Sequence, residues 1–181
     1  MTTLHIALTG HRPTKLGGYN LSTPEYAALR ADLEQYIRYQ LTNHDTVVGH
    51  SGLALGADTI WSKAILNMRD QYPDRVKFHA EIPMMTQYKK WFKQSDIDFW
   101  HHQVAVADEK TIYATFDDPT NVTNQEAGKA LKDRNIGMID HSNVVLAVWD
   151  GTPGGTMHAV KYADKTNKPV VIIRPKTYFN K

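Results

Sequence analysis

Six short β-branched runs alternate with five longer amphipathic stretches, and this order constrains the fold more than any other feature of the chain. The strands are read as Leu4 to Thr9, Thr46 to His50, Val76 to Ile82, Thr111 to Thr115, Asn143 to Trp149 and Pro169 to Arg174. Strands separated by helix-length segments are the pattern of βαβ units, so the expected class is α/β: a Rossmann-like open, mostly parallel sheet with helices on both faces. The fifth run, NVVLAVW, is apolar at every second position on both faces, which suits a strand covered from both sides and places it mid-sheet. At 181 residues, without internal repeats or a linker, residues 1–181 are expected to form one domain.

Helix starts are legible in places. Ser22-Thr23-Pro24-Glu25 offers a capping hydroxyl, a proline at the first turn and an acid near the positive helix end. Tyr26, Leu29, Leu33, Tyr36, Ile37 and Leu41 then make one apolar stripe. Ala57, Ile60, Trp61, Ala64, Ile65 and Met68 repeat the spacing, and Tyr88, Trp91, Phe92 and Phe99 predict a third helix. Asn124 to about Met138 and Gly155 to about Asn167 complete the series.

Composition removes whole classes of function. Without cysteine there is no disulfide framework, thiolate metal site or Cys nucleophile, and a reducing, cytoplasmic setting is expected. The N-terminus lacks a basic n-region, and the longest apolar run, Val144 to Trp149, is far short of a membrane span, so no membrane association is expected. A net charge of +2 gives little counterion-driven affinity, which argues against nucleic acid as a partner and requires any bound anion to be held locally.

Three Gly-rich segments each follow a predicted strand directly: GHRPTKLGGY (10–19), GHSGLALGAD (49–58) and DGTPGGT (150–156). In an open parallel sheet, loops leaving strand ends share the carboxyl edge, so the three are expected to converge on one rim. Glycine allows close approach to backbone amides, and the helices that follow present unpaired N–H donors to an anion. A phosphate-bearing ligand fits such a rim. In the first segment Gly10, His11, Arg12, Lys15, Gly18 and Tyr19 are the candidates, with Arg12 and Lys15 suited to phosphate oxygens. The second offers Ser51, Gly52, Gly56 and Asp58, the last as a helix-start carboxylate or a ribose acceptor. The third offers Asp150, Gly151, Gly154, Gly155 and Thr156; Glu81, ending the third strand, is placed for a sugar, a base or an ion pair. No segment has the Walker or GxGxxG spacing, so ATP hydrolysis and hydride transfer have no support and no cofactor is implied.

The nine histidines show no ligand spacing: His101 and His102 are adjacent and no HExxH occurs, so no metal is expected. The aromatic stretch Tyr88, Trp91, Phe92, Phe99 and Trp100 reads as core and subunit contact more than as a base-stacking platform.

Taken together, GHRPTKLGGY, SGLALGAD, Arg134-Asn135 with Met138-Ile139-Asp140, and AVWDGTPGGT resemble the YpsA-like family of the SLOG superfamily, in the same order and over nearly the whole chain. That superfamily includes the DNA-processing protein DprA, the LOG cytokinin phosphoribohydrolases and nucleotide-sensing domains of anti-phage systems. The resemblance implies nucleotide binding at the carboxyl edge, adds Arg134 and Asn135 to the ligand set, and implies a homodimer or larger homo-oligomer. LOG enzymes carry PGGxGTxxE with a required glutamate. Aligned on Gly155-Thr156 that glutamate falls on Ala159, and aligned on Pro153-Gly154-Gly155 it falls on Lys161.

The favoured reading is a binder of a small nucleotide-derived ligand, such as an ADP-ribose or NAD derivative or a cyclic signalling nucleotide, acting as sensor or sequestering protein in anti-phage defence or counter-defence. The first alternative is a nucleotide N-glycosidic enzyme using Glu81, Asp58 or Asp150 as a displaced carboxylate. The second is DprA-like binding of single strands.

Overall fold

A computed structural model describes residues 1–180. The strands are β1 (Thr3–Gly10), β2 (Thr46–Ser51), β3 (Val76–Met84), β4 (Glu109–Ala114), β5 (Val144–Val148) and β6 (Val170–Ile173). The helices between them are α1 (Pro24–Gln40), α2 (Ala57–Gln71), α3 (Gln94–Val106), α4 (Asn124–Asp140) and α5 (Gly155–Lys165). All strand pairs are parallel, in the order β4-β3-β2-β1-β5-β6, an open Rossmann-like α/β sheet. No helix among the described residues is long and apolar enough to cross a membrane.

The chain order steps outward from β1 through β4, then returns to β1's other side for β5 and β6. Because βαβ crossovers are right-handed, units advancing in opposite directions place their helices on opposite faces. Accordingly Ile6, Leu8, Val47, Phe78, Ala80 and Ile82 pack against Tyr26, Leu29, Leu33, Ile37, Ile60, Trp61, Ile65 and Trp100 of α1, α2 and α3. Ala7 and Val145 face the other way, onto Met138 and Ile139 of α4 and Ala159 and Ala163 of α5. The reversal lies between β1 and β5, and beyond their carboxyl ends the diverging loops leave a crevice.

Two local expectations are corrected. The stretch with Tyr88 and Trp91 does not belong to the third helix: Gln87–Lys90 forms a single 3₁₀ turn, Trp91 is extended, and α3 begins only at Gln94. Tyr88 and Trp91 still pack on the core, while Phe92 is 93 % exposed, so the aromatics do not form one stripe. Strand β5 is flanked on both sides but lies second from the edge; β2 and β1 hold the centre.

At the helix starts, Pro24 opens α1 after Thr23, whose side chain makes no capping bond. Helix α4 instead has a full capping box, Thr123 accepting from the Glu126 amide while the Glu126 carboxylate accepts from the Thr123 amide at 2.8 Å.

Candidate functional site

The first and third Gly-rich loops meet at the switch point. The His11 ring lies 2.6 Å from Asp150 Oδ1, and the His11 amide donates to the Val148 carbonyl at 3.0 Å. Lys15 Nζ donates to Thr152 Oγ1 at 2.7 Å and to the Pro153 carbonyl at 3.2 Å. The second loop joins through the Ala57 amide, which donates to the His11 carbonyl. That approach requires glycine at 56: φ is +100°, and a Cβ there would stand 2.5 Å from the His11 carbonyl oxygen.

Between these loops and α4 lies a cleft of about 360 Å³. It is lined by Gly10, His11, Arg12, Lys15, Asp58, Arg134, Asn135, Gly154, Gly155 and Thr156, with Thr9, Thr14, Ala54, Leu131, Met138 and Pro153 between them. A second cavity of about 410 Å³ adjoins it between α4 and α5, sharing Leu131, Asn135 and Gly155 and adding Ile136, Ile139, Ala159 and Tyr162. The first amides of α5 open onto the cleft without intrahelical acceptors.

At the cleft floor Arg134 Nη1 lies 3.4 Å from Asp58 Oδ2, both residues buried. The Ala54 amide donates to the same oxygen at 3.3 Å. Burial pushes the Asp58 carboxyl above its ordinary value, against the opposing pull of the Arg134 and Arg12 guanidiniums. The Arg134 Nε–H is buried and, among the described residues, has no acceptor.

The other expected residues lie elsewhere. Ser51 does not reach the cleft: its hydroxyl donates to the Asp58 carbonyl at 3.3 Å, accepts from Ser62 at 2.8 Å and is fully buried. Gly52 lies behind Arg134, and Gly56 caps α2. Tyr19, with its carbonyl accepting from Lys93, borders a separate cavity near Trp91, and Gly18 accepts from the Tyr26 hydroxyl. Asp150 turns to a neighbouring hollow beside Lys15 and Arg174, and Gly151 is exposed outside the cleft lining.

Glu81 belongs to a different constellation, one that the sequence analysis missed. Under α4 the sheet carries polar side chains at alternate positions: His5 on β1, His50 on β2, His79 and Glu81 on β3, and Thr111 and Tyr113 on β4. His50 Nδ1 meets Glu81 Oε1 at 2.8 Å, His141 Nδ1 approaches that oxygen at 3.1 Å, and the Tyr113 hydroxyl donates to Oε2 at 2.7 Å. His5 Nδ1 lies 2.9 Å from His50 Nε2, and His79 Nε2 lies 2.8 Å from Thr111 Oγ1. Burial works to raise the Glu81 carboxyl, but hydrogen bonds from His50, His141 and Tyr113 outweigh it and hold the value at about 2. Burial pushes the His50 and His79 imidazoles below their ordinary value, against the opposing pull of the Glu81 carboxylate. The available signal was His79-x-Glu81 on one strand, two residues that share a face by the two-residue period.

An all-parallel sheet with a cleft at its switch point, lined by Gly-rich loops, defines an open Rossmann-like α/β protein. The match to the YspA SLOG family model covers residues 6–178, and the chain belongs to that family. It is 26% identical over 150 residues to the uncharacterized SPbeta prophage-derived protein YoqJ of Bacillus subtilis, covering 81% of this chain and 86% of that protein. It is 23% identical over 172 residues to a UPF0398 protein of Bacillus pumilus, covering 93% and 86%. Among solved structures, DNA processing protein A from Helicobacter pylori, described for its single-stranded DNA binding mode, superposes with a TM-score of 0.60 at 20% identity. DprA from Streptococcus pneumoniae superposes with a TM-score of 0.59 at 17% identity. Each superposition covers 94% of this chain, but the chain spans only 65% and 50% of those two proteins, and the likeness establishes the fold.

Proposed function

We propose that the cleft at the β1/β5 switch point binds a small nucleotide-derived anion, of the ADP-ribose, NAD-derivative or cyclic-nucleotide class, and that the protein senses or sequesters it. The observation that carries this reading is the convergence of Arg12, Lys15, buried Arg134 and the amino end of α5 on one cleft. Guanidinium, ammonium and free amide N–H groups are complementary to phosphate oxygens. The adjoining cavity, with Leu131, Ile136, Ile139 and Tyr162, offers an apolar surface of a size suited to a base. In this reading Asp58 and Asn135 meet sugar or base polar groups.

The test is a thermal-shift panel of AMP, NAD, ADP-ribose and cyclic dinucleotides, paired with native mass spectrometry of the purified protein. A ligand at a hundredfold excess over its Kd raises the melting temperature by roughly 5–10 °C for a chain of this size. Arg12→Ala should abolish that shift without lowering the stability of the free protein, because Arg12 is exposed. A flat panel, with no co-purifying nucleotide, overturns the reading.

The likeness to DNA processing protein A supports a second reading, binding of single-stranded nucleic acid. It predicts oligonucleotide affinity that falls steeply between about 50 and 200 mM salt, whereas a nucleotide held by a few local contacts responds weakly.

A further inference from the structure

The polar layer beneath α4 stands apart from the cleft and has its own chemistry. We propose that His50, His79 and Glu81 bind one divalent transition-metal ion of the zinc type, with a fourth coordination position turned toward His141 and solvent. One ligand atom from each of the three residues lies within 4.8 Å of the other two. His50 Nδ1 is 2.8 Å and His79 Nε2 is 3.7 Å from Glu81 Oε1. Those separations bracket the edge of about 3.3 Å that a tetrahedron with metal–ligand bonds near 2.0 Å requires.

The atoms that point away from this centre distinguish it from a chance cluster. Metal-binding imidazoles almost always have their second nitrogen held by an outer partner, and ligating carboxylates are themselves hydrogen-bonded. Here the Nε2 of His50 is held by His5 at 2.9 Å and the Oε2 of Glu81 by the Tyr113 hydroxyl at 2.7 Å, while the Nδ1 of His79 lies 3.3 Å from the exposed Glu109 carboxylate. His50 and Glu81 thus each have one polar atom tied outward and one turned inward, and His79 places its Nδ1 beside Glu109 and its Nε2, bonded to Thr111, 3.7 Å from Glu81. Binding requires no net proton loss from the histidine pair. When the metal takes His50 Nδ1, that ring carries its hydrogen on Nε2 and donates to His5 Nδ1, both rings exchanging tautomers. His79 leaves Thr111 for the metal while its Nδ1–H donates to Glu109.

The scaffold is rigid, because His50 and His79 face each other in the β2–β3 register and Glu81 follows on β3. The donor set of two imidazoles and one carboxylate suits zinc or a neighbouring first-row ion and disfavours magnesium and calcium, which prefer all-oxygen cages. His141, 46% exposed at the end of α4, marks the entry path and can hold a metal-bound water or rotate to complete the shell.

The test uses the full chain, stripped with a chelator and titrated with Zn²⁺ by calorimetry and with Co²⁺ by visible absorption. One ion per chain, bound more tightly than about 1 µM, with d–d bands of a four- or five-coordinate site, is expected. His79→Ala should weaken binding at least a hundredfold, and His101→Ala with His102→Ala should leave it unchanged. Because Glu81→Gln can unfold the sheet, imidazole NMR of the unsubstituted protein provides a measurement that needs no variant: Zn²⁺ should shift the His50 and His79 resonances and spare His101 and His102. Absence of Zn²⁺ heat and Co²⁺ bands, or binding that survives His79→Ala, or shifts confined to the surface histidines, overturns the proposal. None of these outcomes depends on whether the cleft binds a nucleotide.

Discussion

The guanidinium of Arg134 occupies the space that a side chain on residue 52 would fill: a Cβ built on Gly52 overlaps Arg134 Nη1. Gly52 is therefore the reason that an arginine from α4 can reach Asp58 through the edge of the sheet. Gly52→Ala should displace the guanidinium and strand Asp58. Breaking one side of a buried ion pair costs about 3–5 kcal/mol, and urea denaturation of Gly52→Ala and of Arg134→Ala should both fall in that range. Arg134→Met combined with Asp58→Asn should cost less than the sum of the two single changes, since no buried charge is left alone.

Helix α4 bears Arg134 and Asn135 on the cleft and ends beside His141, so its N-terminal cap anchors both sites. Thr123→Ala removes the acceptor for the Glu126 amide, which lies at 3.2 Å. The expected cost is about 1 kcal/mol, and hydrogen exchange should quicken first at the amides of residues 124–127. Uniform acceleration along the helix would instead mean that the cap governs global stability.

The sheet was legible because β-branched runs separated by helical stripes admit few topologies, and the switch-point rule then brought the loops after β1 and β5 together. Arg12, Lys15, Asp58, Gly155 and Thr156 accordingly share one cleft. Ser51 misled because its position after a strand says nothing about the serine and the aspartate backbone that consume its hydroxyl. The histidine layer was invisible for a different reason. His5, His50, His79 and His141 are far apart in sequence and are joined only by strand register and by the end of α4. Spacing rules written for helices and loops do not describe ligands gathered across a sheet. The aromatic run from Tyr88 to Trp100 mixed two elements, since apolar spacing alone cannot show that the backbone turns at Gln87–Lys90 and extends at Trp91 before α3 begins.

Asp150 gives the loop junction an acid sensitivity. Hydrogen bonds from the Thr152 hydroxyl and amide, with the His11 ring, outweigh burial and hold its carboxyl well below the usual carboxylate range. A folded-state value below the unfolded one means that the stabilisation is complete above the ordinary carboxylate pKa and is lost as pH falls through the folded value. The melting temperature should therefore decline as pH drops below about 4, and Asp150→Asn should show a shallower decline over the same interval. Identical acid limbs for the two proteins would show that the junction contributes nothing to stability there.

Hydrolysis of an N-glycosidic bond requires a carboxylate free to stabilise a cationic sugar or to activate water, and positioned acid–base groups each contribute roughly a hundred- to ten-thousand-fold. The positions where a LOG-type glutamate would fall hold Ala159, packed against α4, and Lys161, exposed on the outside of α5. The three remaining candidates are engaged. Asp58 is paired with Arg134, Glu81 accepts from His50, His141 and Tyr113 outside the cleft, and Asp150 is held by His11 and Thr152. Nucleoside monophosphates and NAD incubated with the protein are therefore expected to be recovered intact by chromatography, even where they raise its melting temperature. Release of free base at enzyme-like turnover, abolished by Asp58→Asn while the fold is retained, would show that the Arg134 pair opens on binding and would make Asp58 the reacting carboxylate.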